Sequence, residues 1–138
     1  MARVLLVDDE PHIREALQDR LQAEGYDVIT AHDGQTALAL IVLETQRSPI
    51  TGVILDMEMP GVHGIEVLRE LRSQWSYVPV LMISASHDRQ MLDQAMRSGA
   101  SAYLAKPFDT KELIQVCDRL FRRVNANSVP PVPSPKSQ

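Results

Sequence analysis

Short apolar runs alternate with amphipathic stretches five times along this chain. Val4-Leu5-Leu6-Val7, Val28-Ile29-Thr30-Ala31, Val53-Ile54-Leu55, Val80-Leu81-Met82-Ile83 and Ala102-Tyr103-Leu104-Ala105 each have the length and content of a buried strand. Between them, apolar positions recur at helical spacing. Pro11 suits a first helical position, Ile13, Leu17 and Leu21 line one face, and Gly25 fits the stop. Asp33-Gly34 opens a second helix with Ala37, Leu38 and Ile41, which fades at Ser48-Pro49. A turn-rich loop from Met59 to Gly64 precedes a third helix carrying Ile65, Leu68 and Leu71. Met91, Leu92, Ala95 and Met96 mark a fourth helix, ending near Gly99. The last begins at Asp109-x-x-Glu112, in the form of a capping box, and carries Leu113, Ile114, Cys117, Leu120, Phe121 and Val124. Strict β-then-α order predicts a parallel α/β sheet with helices on both faces, and unbroken apolar strands agree with burial from two sides.

Composition narrows the class. A chain of 138 residues, 44% hydrophobic, is long enough for one compact domain and too short for two. A formal net charge of −4 gives no basic footprint for direct nucleic-acid binding. Cys117 is the only cysteine, which excludes an internal disulfide and a cysteine zinc cluster, and its apolar setting predicts an inert buried thiol. Met1-Ala2-Arg3 leads directly into the first strand, with no signal peptide or membrane span, so the expectation is a soluble cytoplasmic protein away from any membrane. The domain is expected over residues 1–124. Residues 125–138 hold four prolines and three serines without apolar periodicity and are expected to form a disordered tail.

The chemistry lies where strands end. The first run stops at Asp8-Asp9, the third at Asp56, the fourth at Ser84 and the fifth at Lys106-Pro107. In an open parallel sheet all strand carboxyl ends lie along one edge, where such folds bind ligands. Two unit charges about 4 Å apart interact at roughly 4 kcal/mol at an effective dielectric near 20, so clustered aspartates call for a counter-ion. An all-oxygen set suits a hard cation, Mg²⁺ or Mn²⁺. The plainer reading is that Asp8 and Asp9 cap the next helix, which leaves Asp56 unexplained. With the Lys106 ammonium and the Ser84 hydroxyl at the same edge, the set matches the needs of a phosphoryl group, with Asp56 as the candidate nucleophile.

Asp8-Asp9, Asp56, Ser84-Ala85 and Lys106-Pro107-Phe108 together resemble the signature of the response regulator receiver domain, the phosphoacceptor half of two-component signalling. The likeness extends over residues 2 to about 124. It implies a flavodoxin-like, doubly wound (βα)5 sandwich with a parallel five-stranded sheet of order 2-1-3-4-5. It implies that Asp56 takes a phosphoryl group from a histidine kinase or histidine phosphotransfer protein. Asp9 and Asp56 would bind Mg²⁺ directly with the backbone carbonyl of Glu58, and Asp8 through water. Ser84 and Lys106, helped by the backbone N–H groups of Met57 and Ala85, would hold the phosphoryl oxygens. A cis Lys106–Pro107 peptide is also implied. Ser84 and Tyr103 would form the switch, and a downstream protein would dock on the face made by the fourth helix, fifth strand and fifth helix. A homodimer on activation stays open.

Such a domain catalyses only its own phosphorylation and dephosphorylation and is not a turnover enzyme. No output domain is visible in the sequence, so a stand-alone switch leads, with the receiver piece of a larger transcription factor or output enzyme as the alternative. A phosphohydrolase of the haloacid-dehalogenase kind would want an aspartate where Glu58 stands, and a flavin protein of the same fold would not tolerate Asp8-Asp9-Glu10 in its phosphate loop. Glu58 also departs from chemotaxis-type receivers, which carry a neutral amide there. An effect on the attacking water is expected from it. Ser84 in place of threonine is expected to loosen the coupling to Tyr103. His12, His63 and His87 are expected to be solvated loop residues.

Overall fold

The computed structural model describes residues 2–59 and 63–122. Five strands, β1 (Arg3–Val7), β2 (Asp27–Ala31), β3 (Gly52–Asp56), β4 (Val80–Ser84) and β5 (Ala102–Ala105), form one parallel sheet of order β2-β1-β3-β4-β5. The helices α1 (Pro11–Ala23), α2 (Gly34–Thr45), α3 (Gly64–Gln74) and α4 (Arg89–Arg97) connect them, and α5 (Thr110–Cys117) follows β5. This is the flavodoxin-like arrangement implied by the resemblance. The tail at 125–138, Val124 and the loop residues 60–62 lie outside the described residues.

Alternation along each strand divides the core in two. Leu5, Val7, Val53, Leu55, Val80 and Met82 face α2, α3 and α4, where Ile41, Leu68, Leu71 and Ala95 pack on them. Val4, Leu6, Ile54, Leu81, Ile83 and Leu104 face α1 and α5, against Leu17, Leu21, Leu113, Ile114 and Cys117. Cys117 is buried, and burial pushes its thiol pKa up to about 12, in keeping with an inert group.

Helix starts follow their capping residues. Pro11 opens α1, and the Asp33, Asp88 and Asp109 carboxylates accept the N–H groups of Thr36, Gln90 and Glu112 at 2.7, 2.9 and 2.8 Å. Beyond the end of α1, Gly25 takes a φ of +96°, a conformation that favours glycine.

The last helix departs from the sequence pattern. After Cys117 it widens into a π-helical turn, Asp118–Arg122. Tertiary contacts hold that turn. Tyr26 donates its hydroxyl to Asp118 at 2.7 Å, the Arg122 guanidinium lies 4.0 Å from the Tyr26 ring centre, and Arg122 also donates to the Glu24 carbonyl at 2.6 Å. The Phe121 ring fills the space a side chain at Gly52 would take: a methyl group there would lie 2.1 Å from it. Glycine is therefore required where β3 begins. Gly52→Ala should lower the unfolding free energy by about 1–3 kcal/mol in urea denaturation, the usual cost of overpacking, and Phe121→Leu in the same chain should recover part of it. An unchanged midpoint for Gly52→Ala would contradict this packing.

Candidate functional site

Strand register assembles the site. Val7 pairs with Leu55, so Asp8 and Asp56 emerge level with each other from neighbouring strands. Asp56 itself pairs with Ile83, and Ser84 with Ala105, which puts Ser84 one step and Lys106 two steps further along on the next two strands. Adjacent strands lie about 4.8 Å apart, so groups level with each other meet without long side chains. Carboxylate oxygens of Asp8, Asp9 and Asp56 all lie within 4.8 Å of one another.

Burial decides which of these charges matter most. Asp8 is 0% exposed and Asp56 2%, whereas Asp9 faces solvent. The buried repulsion therefore lies between Asp8 and Asp56, and Asp9 adds to it from the solvent side, where water weakens its effect. Burial, and after it the charge of Asp8, pushes Asp56 up from 3.8 to about 6. Asp8 is raised too, chiefly by burial. Lys106 answers part of this. Its ammonium sits 3.3 Å from Asp56 Oδ2, and the Lys106–Pro107 peptide is cis. Three carboxylates against one ammonium leave about two negative charges for a divalent cation to match.

The capping alternative can now be weighed. Glu10, not Asp8 or Asp9, is the N-cap of α1, and its carboxylate accepts the N–H of His12 at 3.1 Å. Asp8 Oδ1 accepts the N–H of Glu10 at 2.9 Å, while Asp8 Oδ2 is buried with no hydrogen-bond partner among the described residues. A buried carboxylate oxygen without a donor is costly. The cluster, all oxygen donors with one orphaned lone pair, fits a hard cation such as Mg²⁺.

Two implied contacts are arranged differently. The N–H of Met57 donates to the Ile83 carbonyl at 2.8 Å, continuing the β3–β4 ladder, so it is not free to meet a phosphoryl oxygen. It is the next N–H, of Glu58, that points at Asp56, reaching Oδ1 at 3.1 Å. The Glu58 side chain does not simply extend into water either. Its carboxylate accepts both the Ser84 hydroxyl and the Ala85 N–H, the latter at 2.8 Å. Tyr103 is half-buried against the α4 side of the sheet and donates its hydroxyl to the Ser86 carbonyl at 3.2 Å.

Sequence reasoning missed the Glu58 contacts and the hold of Arg14 on the Asp8 carbonyl at 2.7 Å. Neither carries a local signal, because both depend on which loops meet above the sheet. Gly64 is a third such feature. A side chain there would lie 2.7 Å from the Met57 Cα and 2.8 Å from the Asp56 carbonyl, so glycine lets α3 start hard against the end of β3. His12, His63 and His87 are exposed, as expected, although His12 stands on α1 and not in a loop.

Comparison with known proteins gives a consistent picture. Residues 4–118 match the family model of the response regulator receiver domain. The alkaline phosphatase synthesis transcriptional regulatory protein SphR of Synechococcus elongatus is 39% identical, over 88% of this chain and 49% of its own length. Among solved structures, the chemotaxis protein CheY4 of Vibrio cholerae superposes with a TM-score of 0.78 at 34% identity, covering 87% of this chain and 98% of that one. The response regulator TrrA of Thermotoga maritima, solved in complex with Mg²⁺-BeF, gives 0.75 at 37% identity, covering 87% and 99%. The chain spans about half the length of the curated relatives it matches.

The raised Asp56 pKa has a signed consequence for stability. The folded protein keeps a proton that the unfolded chain releases, so this contribution is present below about pH 4 and lost as pH rises through about 6. In metal-free buffer at pH 7.5, Asp56→Asn should therefore be more stable than the parent by about 2 kcal/mol, and the gain should vanish near pH 4. Urea denaturation in EDTA checks this; an equal gain at both pH values, or a loss at pH 7.5, would refute the electrostatic assignment.

Proposed function

The chain belongs to the response regulator receiver domain family, and we propose that Asp56 is its phosphoryl acceptor in a two-component relay. The observation that carries this is a buried carboxylate at the sheet edge, with an ammonium 3.3 Å away and two more carboxylates within 4.8 Å. A phosphorylated histidine of a sensor kinase or phosphotransfer protein is the donor. A carboxylate oxygen of Asp56 attacks the phosphorus, a P–O bond forms as the P–N bond breaks, and the imidazole leaves with the bonding pair and takes up a proton. The product is an acyl phosphate on Asp56.

Each neighbour has a task in this reading. Asp8, Asp9, Asp56 and the backbone carbonyl of Glu58 would hold Mg²⁺ or Mn²⁺, which would neutralise charge on the incoming phosphoryl oxygens. Lys106 is placed to hold one of those oxygens as a point charge, and Ser84 and the Ala85 N–H offer donors for another. The Glu58 N–H takes the place first expected of Met57, since it already addresses the Asp56 carboxylate. Burial of Asp56 shields the acyl phosphate from bulk water and favours single acceptance over turnover.

We read Ser84 and Tyr103 as the switch. Ser84 closes β4, and its loop neighbour Ser86 receives the Tyr103 hydroxyl, so movement of that loop reaches the β5 surface directly. The face made by α4, β5 and α5 is the proposed docking surface for a downstream protein. The relatives include transcriptional regulators about twice as long, which supports an output that lies outside this domain. Among the described residues no helix is long and apolar enough to cross a membrane, and we place the relay in the cytoplasm, where a kinase would meet it. A phosphohydrolase of the haloacid-dehalogenase kind is less well supported, because the Glu58 carboxylate is engaged by Ser84 and Ala85 and not held ready as a general acid.

Incubation with acetyl phosphate and Mg²⁺ should add one phosphoryl mass to the protein, and Asp56→Asn should abolish that addition. Lys106→Ala should slow it by about 10²-fold or more, as expected for loss of a charge on the transferring group. Intact-mass spectrometry reads both. Label persisting on Asp56→Asn, or catalytic release of phosphate from a phosphate ester, would overturn the reading.

A further inference from the structure

The acceptor pocket already contains an anion. We propose that the Glu58 carboxylate is a resident stand-in for the phosphoryl group, occupying its donors in the unphosphorylated chain, and that acceptance requires its expulsion. This deepens the phosphoacceptor reading and rests on it.

Three observations converge. First, one carboxylate takes two donors at once, the Ser84 hydroxyl and the Ala85 N–H. Those are the groups that, on the proposed function, would hold an oxygen of the transferred phosphoryl. Second, Ser84 has little capacity left. Its oxygen accepts the Ser86 N–H at 3.0 Å and its only proton goes to Glu58, while the residue is 0% exposed, so water cannot take over that proton. Third, Glu58 is exposed as a whole and follows Asp56 by two residues, so its side chain can swing out while its N–H stays on the Asp56 carboxylate.

The physical consequence is competition. An incoming phosphoryl group and the Glu58 carboxylate are both anionic and want the same two donors, so they cannot be bound there together. The closed form lowers the apparent affinity for a phosphoryl group by the fraction of chains in which Glu58 has already swung away. It also sets the starting position of the β4–α4 loop. Glu58 holds Ser84 and Ala85, and Ser86 in the same loop receives Tyr103. Expulsion therefore changes the loop that the Tyr103 hydroxyl touches, which links entry of the phosphoryl group to the β5 surface. Alanine at position 58 would leave the Ser84 and Ala85 donors without that carboxylate and remove that starting constraint.

The test uses the full chain, Glu58→Gln and Glu58→Ala, with beryllofluoride as the phosphoryl analogue at saturating Mg²⁺. Titration followed by amide NMR should show tighter binding in Glu58→Ala by roughly tenfold, with Glu58→Gln between it and the parent. A second readout needs neither metal nor analogue. In EDTA, the Ala85 amide proton of the parent should resonate downfield, as expected for a donor to a carboxylate, and should move upfield in Glu58→Ala. Equal affinities in all three proteins, with an Ala85 amide that does not respond to substitution, would overturn the proposal while leaving Asp56 as acceptor. Failure of all three to take up beryllofluoride would overturn the acceptor reading and this inference together.

Discussion

Two carboxylates, Asp8 and Asp56, leave neighbouring parallel strands at the same level and are buried there with only the Lys106 ammonium, 3.3 Å from Asp56, to offset them. Much of the site answers that arrangement. Lys106 reaches back from β5 to Asp56, the Glu10 N–H serves one oxygen of Asp8, and the other oxygen has no partner among the described residues. A protein with a typical margin of stability does not keep buried like charges without a use for them. The use that fits is a divalent cation, bound where phosphate chemistry needs charge neutralisation.

The fold supplies this geometry at little cost. A parallel ladder fixes the level of every strand end once register is set, and a one-residue slip would send the apolar side chains of that strand to the wrong layer. The two packed faces of the sheet therefore hold the positions of Asp8, Asp56, Ser84 and Lys106 from below. Above the sheet, Gly64 allows α3 to begin against the Asp56 carbonyl, which keeps the loop after the acceptor short of room and close to the site. Rigid strands carry the charges and adjustable loops carry the residues that must respond.

Most of the architecture could be read from residue order. Apolar runs of strand length, Pro11, Gly25 and the aspartates at helix starts mark the elements, because each acts over a few neighbouring residues. The five polar residues at strand ends were also visible, since a parallel sheet gathers them whatever the loops do. What stayed hidden depends on contacts between distant segments. Nothing local in Asp118-Arg119-Leu120-Phe121-Arg122 announces a π-helical turn, which exists against Gly52, Tyr26 and Glu24. The Met57 N–H looked free because its engagement with Ile83 depends on how far the β3–β4 ladder continues. Glu58 stood out as an unusual residue, yet its partners could be identified only once the β4–α4 loop was in place. Exposure of Asp9, which shifts the weight of the repulsion onto Asp8, was likewise beyond sequence.

The crowded carboxylates are tested most directly by calorimetric titration of the metal-free chain with Mg²⁺ near pH 6, in two buffers of different ionisation enthalpy. With Asp56 pushed up to about 6, uptake of the cation must drive off a proton from part of the population. The account predicts one Mg²⁺ per chain and release of roughly half a proton at pH 6, falling toward zero near pH 8. Binding with no proton release at pH 6, or no binding at millimolar Mg²⁺, would contradict it.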